Sequence, residues 1–267
     1  RKNSKQDIQI GDVRSILLIE DSPRMYSILL PLIYKEIMYQ IKNLINRSLS
    51  QSQRLLHLRA RPKIILTPNY ETAQKFFKQY KNNMIGVISD IRFLKKGVKH
   101  SEAGFEFAKW AREIDPSIPI LLQSTERKNA LMAKDVKANF LDKNSPTLLN
   151  DLRSFMIDNF GFGDFIFRLP NNEEVSKAST VEDFIQGIAN IPEESLLFHA
   201  ESHHFSNWLA ARTEFGLASK LRPVYAHHFK NGESLRSYLL ERLHSESEDS
   251  KERVLDYTSS RFRREKS

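Results

Sequence analysis

The sequence predicts a doubly wound α/β fold: a parallel sheet with helices on both faces, followed by a smaller, mostly helical α+β unit. Three observations predict it. Five short apolar runs of strand length lie near residues 15–19, 63–67, 85–89, 119–123 and 139–142. Four of them end on chemically capable side chains, and the carboxyl ends of parallel strands share one sheet edge, where ligands bind. Two glycines at 161 and 163 then break the chain before a stretch of shorter elements.

The first run, Ile16-Leu17-Leu18-Ile19, ends on Glu20-Asp21. Ser22 and Pro23 follow as a cap and a first-turn proline. Apolar residues then recur at Ile28, Leu29, Leu32, Ile33, Ile37, Met38, Ile41, Leu44 and Ile45, a long helix with Pro31 expected to kink it. The next strand, Lys63-Ile64-Ile65-Leu66, arrives late, after an extra stretch through Gln51 to Arg59. A helix that long projects past its sheet, so its apolar positions are expected to meet a partner, the C-terminal unit or a second copy in a homodimer. A polar loop over Ser48 to Gln53 is the alternative.

Met84-Ile85-Gly86-Val87-Ile88-Ser89 reads as a buried strand closed by Asp90. A basic insertion follows, Arg92-Phe93-Leu94-Lys95-Lys96-Gly97-Val98-Lys99-His100. It is either a lid or partner surface beside Asp90, or a solvated loop. The run Pro119 to Gln123 ends on Ser124-Thr125, and Asn139-Phe140-Leu141-Asp142 ends on Lys143. Three carboxylates, a hydroxyl and a lysine are thereby gathered at one edge. Crowded carboxylates repel one another and are relieved by a hard cation with a taste for oxygen. Asp90 is the carboxylate placed to accept a phosphoryl group.

This order of residues over about 14–158 resembles the receiver domain of two-component response regulators. The resemblance implies a flavodoxin-like strand order 2-1-3-4-5 and a Mg²⁺ site on Glu20, Asp21, Asp90 and the backbone carbonyl of Arg92. It implies Asp90 as phospho-acceptor, Ser124 and Lys143 as phosphate-binding groups, and Phe140 as the aromatic switch position. The partner it implies is a sensor histidine kinase or phosphotransfer protein. The chain departs from the pattern in three places. Lys143 is followed by Asn144, with Pro146 three residues on. Thr125 is β-branched where a small residue is usual, which narrows access to the phosphate. The usual Met-Pro after the acceptor is absent.

The C-terminal part reads as a strand at Phe165-Ile166-Phe167, a turn over Leu169 to Asn172, and a capped helix opening at Ser179 to Asp183 and ended by Pro192. An extended run follows at Ser195 to His199, then a helix from Phe205 to Leu221, and a charged, fraying helix from Ser234 to Tyr257. His199, Glu201, His203 and His204 invite a metal reading, but their spacing does not match a helical H-E-x-x-H site. A structural or docking role, with Phe205, Trp208 and Phe215 as packing surface, fits better. Residues 160–225, from Leu196-Phe198-His199 through Trp208-Ala211-Arg212-Glu214-Phe215, resemble a region that follows atypical receivers in multidomain bacterial proteins. Those carry a phosphoenolpyruvate synthase-like or pyruvate phosphate dikinase-like domain. No phosphate loop or phosphohistidine motif occurs here, so the resemblance implies a regulatory part, with dikinase-like chemistry elsewhere.

The expected organisation is a tail at 1–13, a receiver-like domain at 14–158, an accessory or relay domain at 159–230 and a charged helical tail at 231–267. The aromatic set Phe162, Phe165, Phe205, Trp208 and Phe215 is expected to exceed what so small a unit can bury alone. The absence of cysteine excludes disulfides, zinc–thiolate sites and thiol catalysis. No apolar run spans a membrane and no signal peptide is visible, so a cytoplasmic protein is expected. Net charge is +8, with the excess in 14–157: 24 Lys+Arg against 13 Asp+Glu, compared with 14 against 18 in 158–267. An acidic C-terminal half without a helix-turn-helix pattern argues against nucleic acid. The chain opens Arg1-Lys2-Asn3-Ser4 without methionine and is expected to be a fragment of a longer protein. The function expected is a phospho-switch, limited as an enzyme to its own phosphorylation and dephosphorylation. The alternative is a metal-dependent phosphatase-like enzyme using the Asp90 site or His199, His203 and His204.

Overall fold

The computed structural model describes residues 13–47, 51, 58, 61–212, 214–222 and 224–244. They form two compact units. The first runs to Gly163 and includes Ala211–Thr213; the second holds Asp164–Ala210 and the chain from Glu214.

In the first unit, β1 (Ser15–Ile19), β2 (Lys63–Thr67), β3 (Met84–Asp90), β6 (Ile120–Ser124) and β7 (Asn139–Asp142) form one sheet in the order β2-β1-β3-β6-β7. Every pairing in it is parallel. That is the expected 2-1-3-4-5 order, with the two short strands β4 (Phe93–Lys95) and β5 (Val98–His100) forming a separate sheet. Alternation along each strand serves two cores. Leu17, Ile19, Val87 and Leu122 face one side. Ile16, Leu18, Ile88 and Leu121 face the other.

The first side is covered by α2 (Tyr70–Tyr80), α3 (Ala103–Ile114) and α4 (Asn129–Asp135), through residues such as Phe77, Phe107 and Ala133. Asn69 caps α2 by accepting the Thr72 N–H at 2.9 Å. The other side is covered by α1 (Pro23–Arg47) and α5 (Leu148–Phe160). In α1, Leu29, Ile33, Ile37 and Ile41 recur every fourth residue and are all buried on the sheet, with Ile45 packed against the same cluster. The helix continues through Pro31. Its apolar stripe is therefore used inside the unit, and the case for an outside partner loses its main support. Ile28, Tyr34 and Tyr39 are its exposed apolar side chains among those described. The stretch expected to follow it, Ser48 to Arg59, lies outside the described residues except for Gln51 and Leu58.

The basic insertion is an antiparallel hairpin, β4 (Phe93–Lys95) with β5 (Val98–His100). It turns at Lys96 and Gly97, both left-handed with φ 51° and 77°, the signature of a tight primed turn. Phe93 is fully buried and stacks on Tyr70. Lys95 pairs with Glu106, and the Lys96 N–H donates to Glu71 at 2.8 Å. The insertion is thus an ordered hairpin fixed to the core through Phe93 and Lys95, with residues 96–99 exposed.

Gly104 opens α3 against the end of β3. A Cβ there would stand 2.5 Å from the Asp90 carbonyl oxygen and 2.7 Å from the Ile91 Cα, both backbone. Gly104→Ala should therefore cost about 1–3 kcal/mol of stability as the helix start is pushed away. A urea titration checks this, and an unchanged midpoint would contradict the close approach.

The second unit begins with an antiparallel hairpin, β8 (Phe165–Arg168) and β9 (Glu174–Ala178). Helices α6 (Val181–Asn190), α7 (Glu193–Glu201), α8 (His204–Ala211) and α9 (Phe215–Leu221) follow, then a helix over 232–244. Thr180 and Asp183 close a capping box on α6, as the sequence suggested.

Four expectations are corrected here. Residues 195–199 are helical, because Pro192 sets up an N-terminus with Glu193 and Glu194 in its first turn. The helix expected over 205–221 is two helices, α8 and α9. Residues 232–244 are not a loose tail: Leu235, Leu239 and Leu243 are buried in the unit's core, and Arg236 donates to the Ile188 and Ile191 carbonyls. Finally, the unit buries its own aromatics. Phe165, Phe167, Phe184, Phe205 and Trp208 pack together, with Trp208 stacked on Phe184 at 4.7 Å, while Phe162 belongs to the first unit's core. The Phe215 side chain and residues 245–267 lie outside the described part. No helix of the described residues is long and apolar enough to cross a membrane.

Candidate functional site

Glu20 and Asp21 leave β1, Asp90 ends β3, Ser124 ends β6, and Lys143 follows β7. The sheet brings these ends to one edge. Glu20, Asp21 and Asp90 each offer a carboxylate oxygen, and the three oxygens lie within 4.8 Å of one another. Glu20 is fully buried, while the Asp21 and Asp90 side chains keep 8% and 15% of their exposure, enough to be reached from outside.

Lys143 reaches into the cluster. Its Nζ donates to Glu20 Oε2 at 2.8 Å and pairs with Asp90 Oδ1 at 3.0 Å. The Ser22 N–H donates to Glu20 Oε1 at 3.1 Å, and the Ile91 N–H to Asp90 Oδ1 at 2.9 Å. Burial pushes the Glu20 carboxyl above its ordinary range, and the Asp90 carboxylate adds to this; Lys143 and the Ser22 N–H oppose it. Three carboxylates thus crowd around Lys143, which pairs with Glu20 and Asp90. The cluster's donors are all oxygens, the set that a hard divalent cation such as Mg²⁺ takes.

Ser124 is turned toward the start of α4. Its Oγ accepts from the Glu126 N–H at 3.1 Å and from Asn129 Nδ2 at 3.0 Å. Thr125 is exposed beside it. Phe140 is half-buried in β7 and packs against the core on the α2–α3–α4 side. The Arg92 side chain is exposed.

Sequence reasoning passed over three site residues. Gln123 is buried and donates from Nε2 to Glu20 Oε2 at 3.3 Å, while its Oε1 has no hydrogen-bond partner among the described residues. A lone amide closing an apolar strand was the signal. Asn129 holds Ser124, and nothing but its spacing from that serine marks it. Lys99 was seen only as part of a basic run, yet its Nζ lies 3.2 Å from Asp21 Oδ1.

Among the described residues, His199, Glu201, His203 and His204 do not bring three candidate ligand atoms together. His199 Nε2 accepts the Arg168 backbone N–H at 2.8 Å, so the ring proton sits on Nδ1. That nitrogen is 2.9 Å from His204 Nδ1, which must then accept. Both His199 ring nitrogens are committed. Burial pushes His199 down to about 2 and His204 down to about 4, each helped by neighbouring positive charge. His203 packs instead on the Tyr225 ring at 4.3 Å between centroids. Among the described residues, the group of three or more candidate ligands is the carboxylate cluster.

No protein-family model matches the sequence, and no curated protein matches it. Solved structures similar to the chain include a response regulator receiver domain protein from Clostridium thermocellum, at 16% identity and TM-score 0.39, covering 55% of this chain and 94% of that one. The chemotaxis protein CheY4 of Vibrio cholerae is similar at 18% identity and TM-score 0.36, covering 54% and 98%. A response regulator receiver protein from Sinorhizobium medicae is similar at 19% identity and TM-score 0.36, covering 53% and 95%. The resemblance of residues 160–225 to a region of phosphoenolpyruvate synthase-like proteins has no counterpart among these three, each of which spans about half of the chain.

Proposed function

We propose that the first unit is a phosphoryl-accepting switch in two-component signalling. The observation that carries this reading is the convergence of Glu20, Asp21 and Asp90 with Lys143 at one sheet edge. Glu20, Asp21 and Asp90 would hold Mg²⁺, with the Arg92 carbonyl as a further ligand by its position after Asp90. The cation would supply charge neutralisation for an incoming phosphoryl group. The Asp90 carboxylate is the nucleophile: its oxygen bonds to phosphorus as the donor's bond to phosphorus breaks. Lys143, already 3.0 Å from Asp90, is placed for a phosphoryl oxygen.

Ser124 is the responsive element. Its hydroxyl is held by the Glu126 N–H and Asn129, and a phosphoryl group on Asp90 offers three strong acceptors for which it can turn. Phe140, half-buried in the next strand, is the packing readout. Thr125 narrows the approach of water, which favours a long-lived phosphorylated state. The donor class is a sensor histidine kinase or phosphotransfer protein, and the output is a linked or partner module.

Incubation with Mg²⁺ and a small acyl phosphate tests the reading. The expected product is a single acid-stable, hydroxylamine-labile adduct that chelation of the cation prevents. An adduct that survives hydroxylamine would point to another residue type.

A further inference from the structure

Lys99 stands where the proposed cation needs a ligand. Its Nζ is 3.2 Å from Asp21 Oδ1. Of the three carboxylates, Glu20 and Asp90 are served by Lys143, and Asp21 by Lys99. Two ammonium groups thus meet three carboxylates, and the second comes from the β4–β5 hairpin. Residues placed between the third strand of the sheet and α3 bring a charge back over the sheet edge.

The hairpin is built to hold that charge and to release it. Phe93 is fully buried and anchors β4, and Lys95 and Lys96 tie the hairpin to Glu106 and Glu71. None of these contacts depends on Lys99. The Lys99 side chain is itself 49% exposed, on a flexible stem, so it can leave Asp21 without unpacking the hairpin. A divalent cation takes the same oxygen with more charge at closer range.

We infer that Lys99 is a tethered counter-ion that competes with the divalent cation for Asp21 and so sets the cation concentration at which the site fills. The inference rests on the metal-binding reading of Glu20, Asp21 and Asp90 given above. It makes the hairpin a determinant of cation affinity: anything that draws Lys99 away from Asp21 tightens the site.

Manganese is the probe, because loss of the free Mn²⁺ electron paramagnetic resonance signal reports binding without any phosphoryl chemistry. Lys99→Met should tighten Mn²⁺ about threefold to tenfold, the range an ion pair with one half-exposed partner supplies. Lys96→Met removes the same charge from the turn of the same hairpin, where no ion pair with Asp21 is made, and should change the affinity by less than about twofold. Equal tightening by the two variants would overturn the inference in favour of a general field effect, and so would no tightening by Lys99→Met. Absence of Mn²⁺ binding in the unaltered chain and in both variants would instead remove the metal reading itself, and the inference with it.

Discussion

Asp90→Asn is expected to abolish the phosphate uptake from a small acyl phosphate in Mg²⁺ that the proposed function requires. The effect is expected to be complete because the substitution changes chemistry and little else. An amide is not a nucleophile at neutral pH, whereas a carboxylate is, and Asp90 is reachable at the sheet edge. Asparagine has the same shape, and its oxygen can still accept the Ile91 N–H, now at 2.9 Å, and the Lys143 ammonium, now at 3.0 Å. The strand end is therefore preserved, and thermal unfolding should show a folded protein. Removing one of three crowded negative charges should even relieve Glu20, whose pKa the Asp90 carboxylate helps to raise. Phosphate incorporation, read by intact-protein mass after brief incubation, is the measurement. Stoichiometric uptake by the asparagine variant would sink the assignment of Asp90. Uptake lost together with the fold would show that the residue is structural.

The sheet was legible in the sequence because its physics is local. Buried parallel strands are short apolar runs, and the five observed strands fall within a residue of the runs read from the sequence. The candidate site was legible for the same reason: a strand's last residue is fixed once its register is fixed, and Asp90 pairs with Gln123 across β3 and β6. What was not legible came from long-range placement. Nothing local says that Lys99 returns to Asp21, 78 positions away. The hairpin's turn is Lys96-Gly97, which lacks the asparagine or aspartate that usually announces a primed turn. In α1, the apolar spacing was read correctly, but its partner was the unit's own sheet. The second unit was misread where short apolar runs fit strand and helix equally. Ser195-Leu196-Leu197-Phe198 is such a run, and the acidic first turn after Pro192 decides for helix.

The second unit should lose stability steeply as pH falls below about 6.5, while remaining insensitive above it. The cause is the His199–His204 pair. His199 is buried and accepts the Arg168 N–H through Nε2, and its remaining proton goes to His204. Protonating either ring would put a donor where an acceptor is required and a charge where water is scarce. The folded values, about 2 for His199 and about 4 for His204, lie below the ordinary 6.5. In the folded state the rings stay neutral, so the unfolded chain binds more protons at any pH between these values and 6.5. Stability is then full above 6.5 and is drained as pH drops through that window. By pH 4 the loss is on the order of 3 kcal/mol for His199, and His204, whose folded value of about 4 is closer to the ordinary one, gives the smaller share. That is a large fraction of the stability of an ordinary domain. Glu20 in the first unit acts with the opposite sign: its pKa is raised on folding, so this group by itself does not drain stability in acid. The chain has two tryptophans, Trp110 in the first unit's α3 and Trp208 in the second unit's core. A Trp110→Phe variant therefore leaves Trp208 as the reporter of the second unit alone. Its urea midpoint should fall severalfold in stability terms between pH 7 and pH 4.5, and His204→Gln should flatten that slope by removing one titrating ring. A midpoint independent of pH over this range would mean that the two imidazoles are not held neutral in the folded unit.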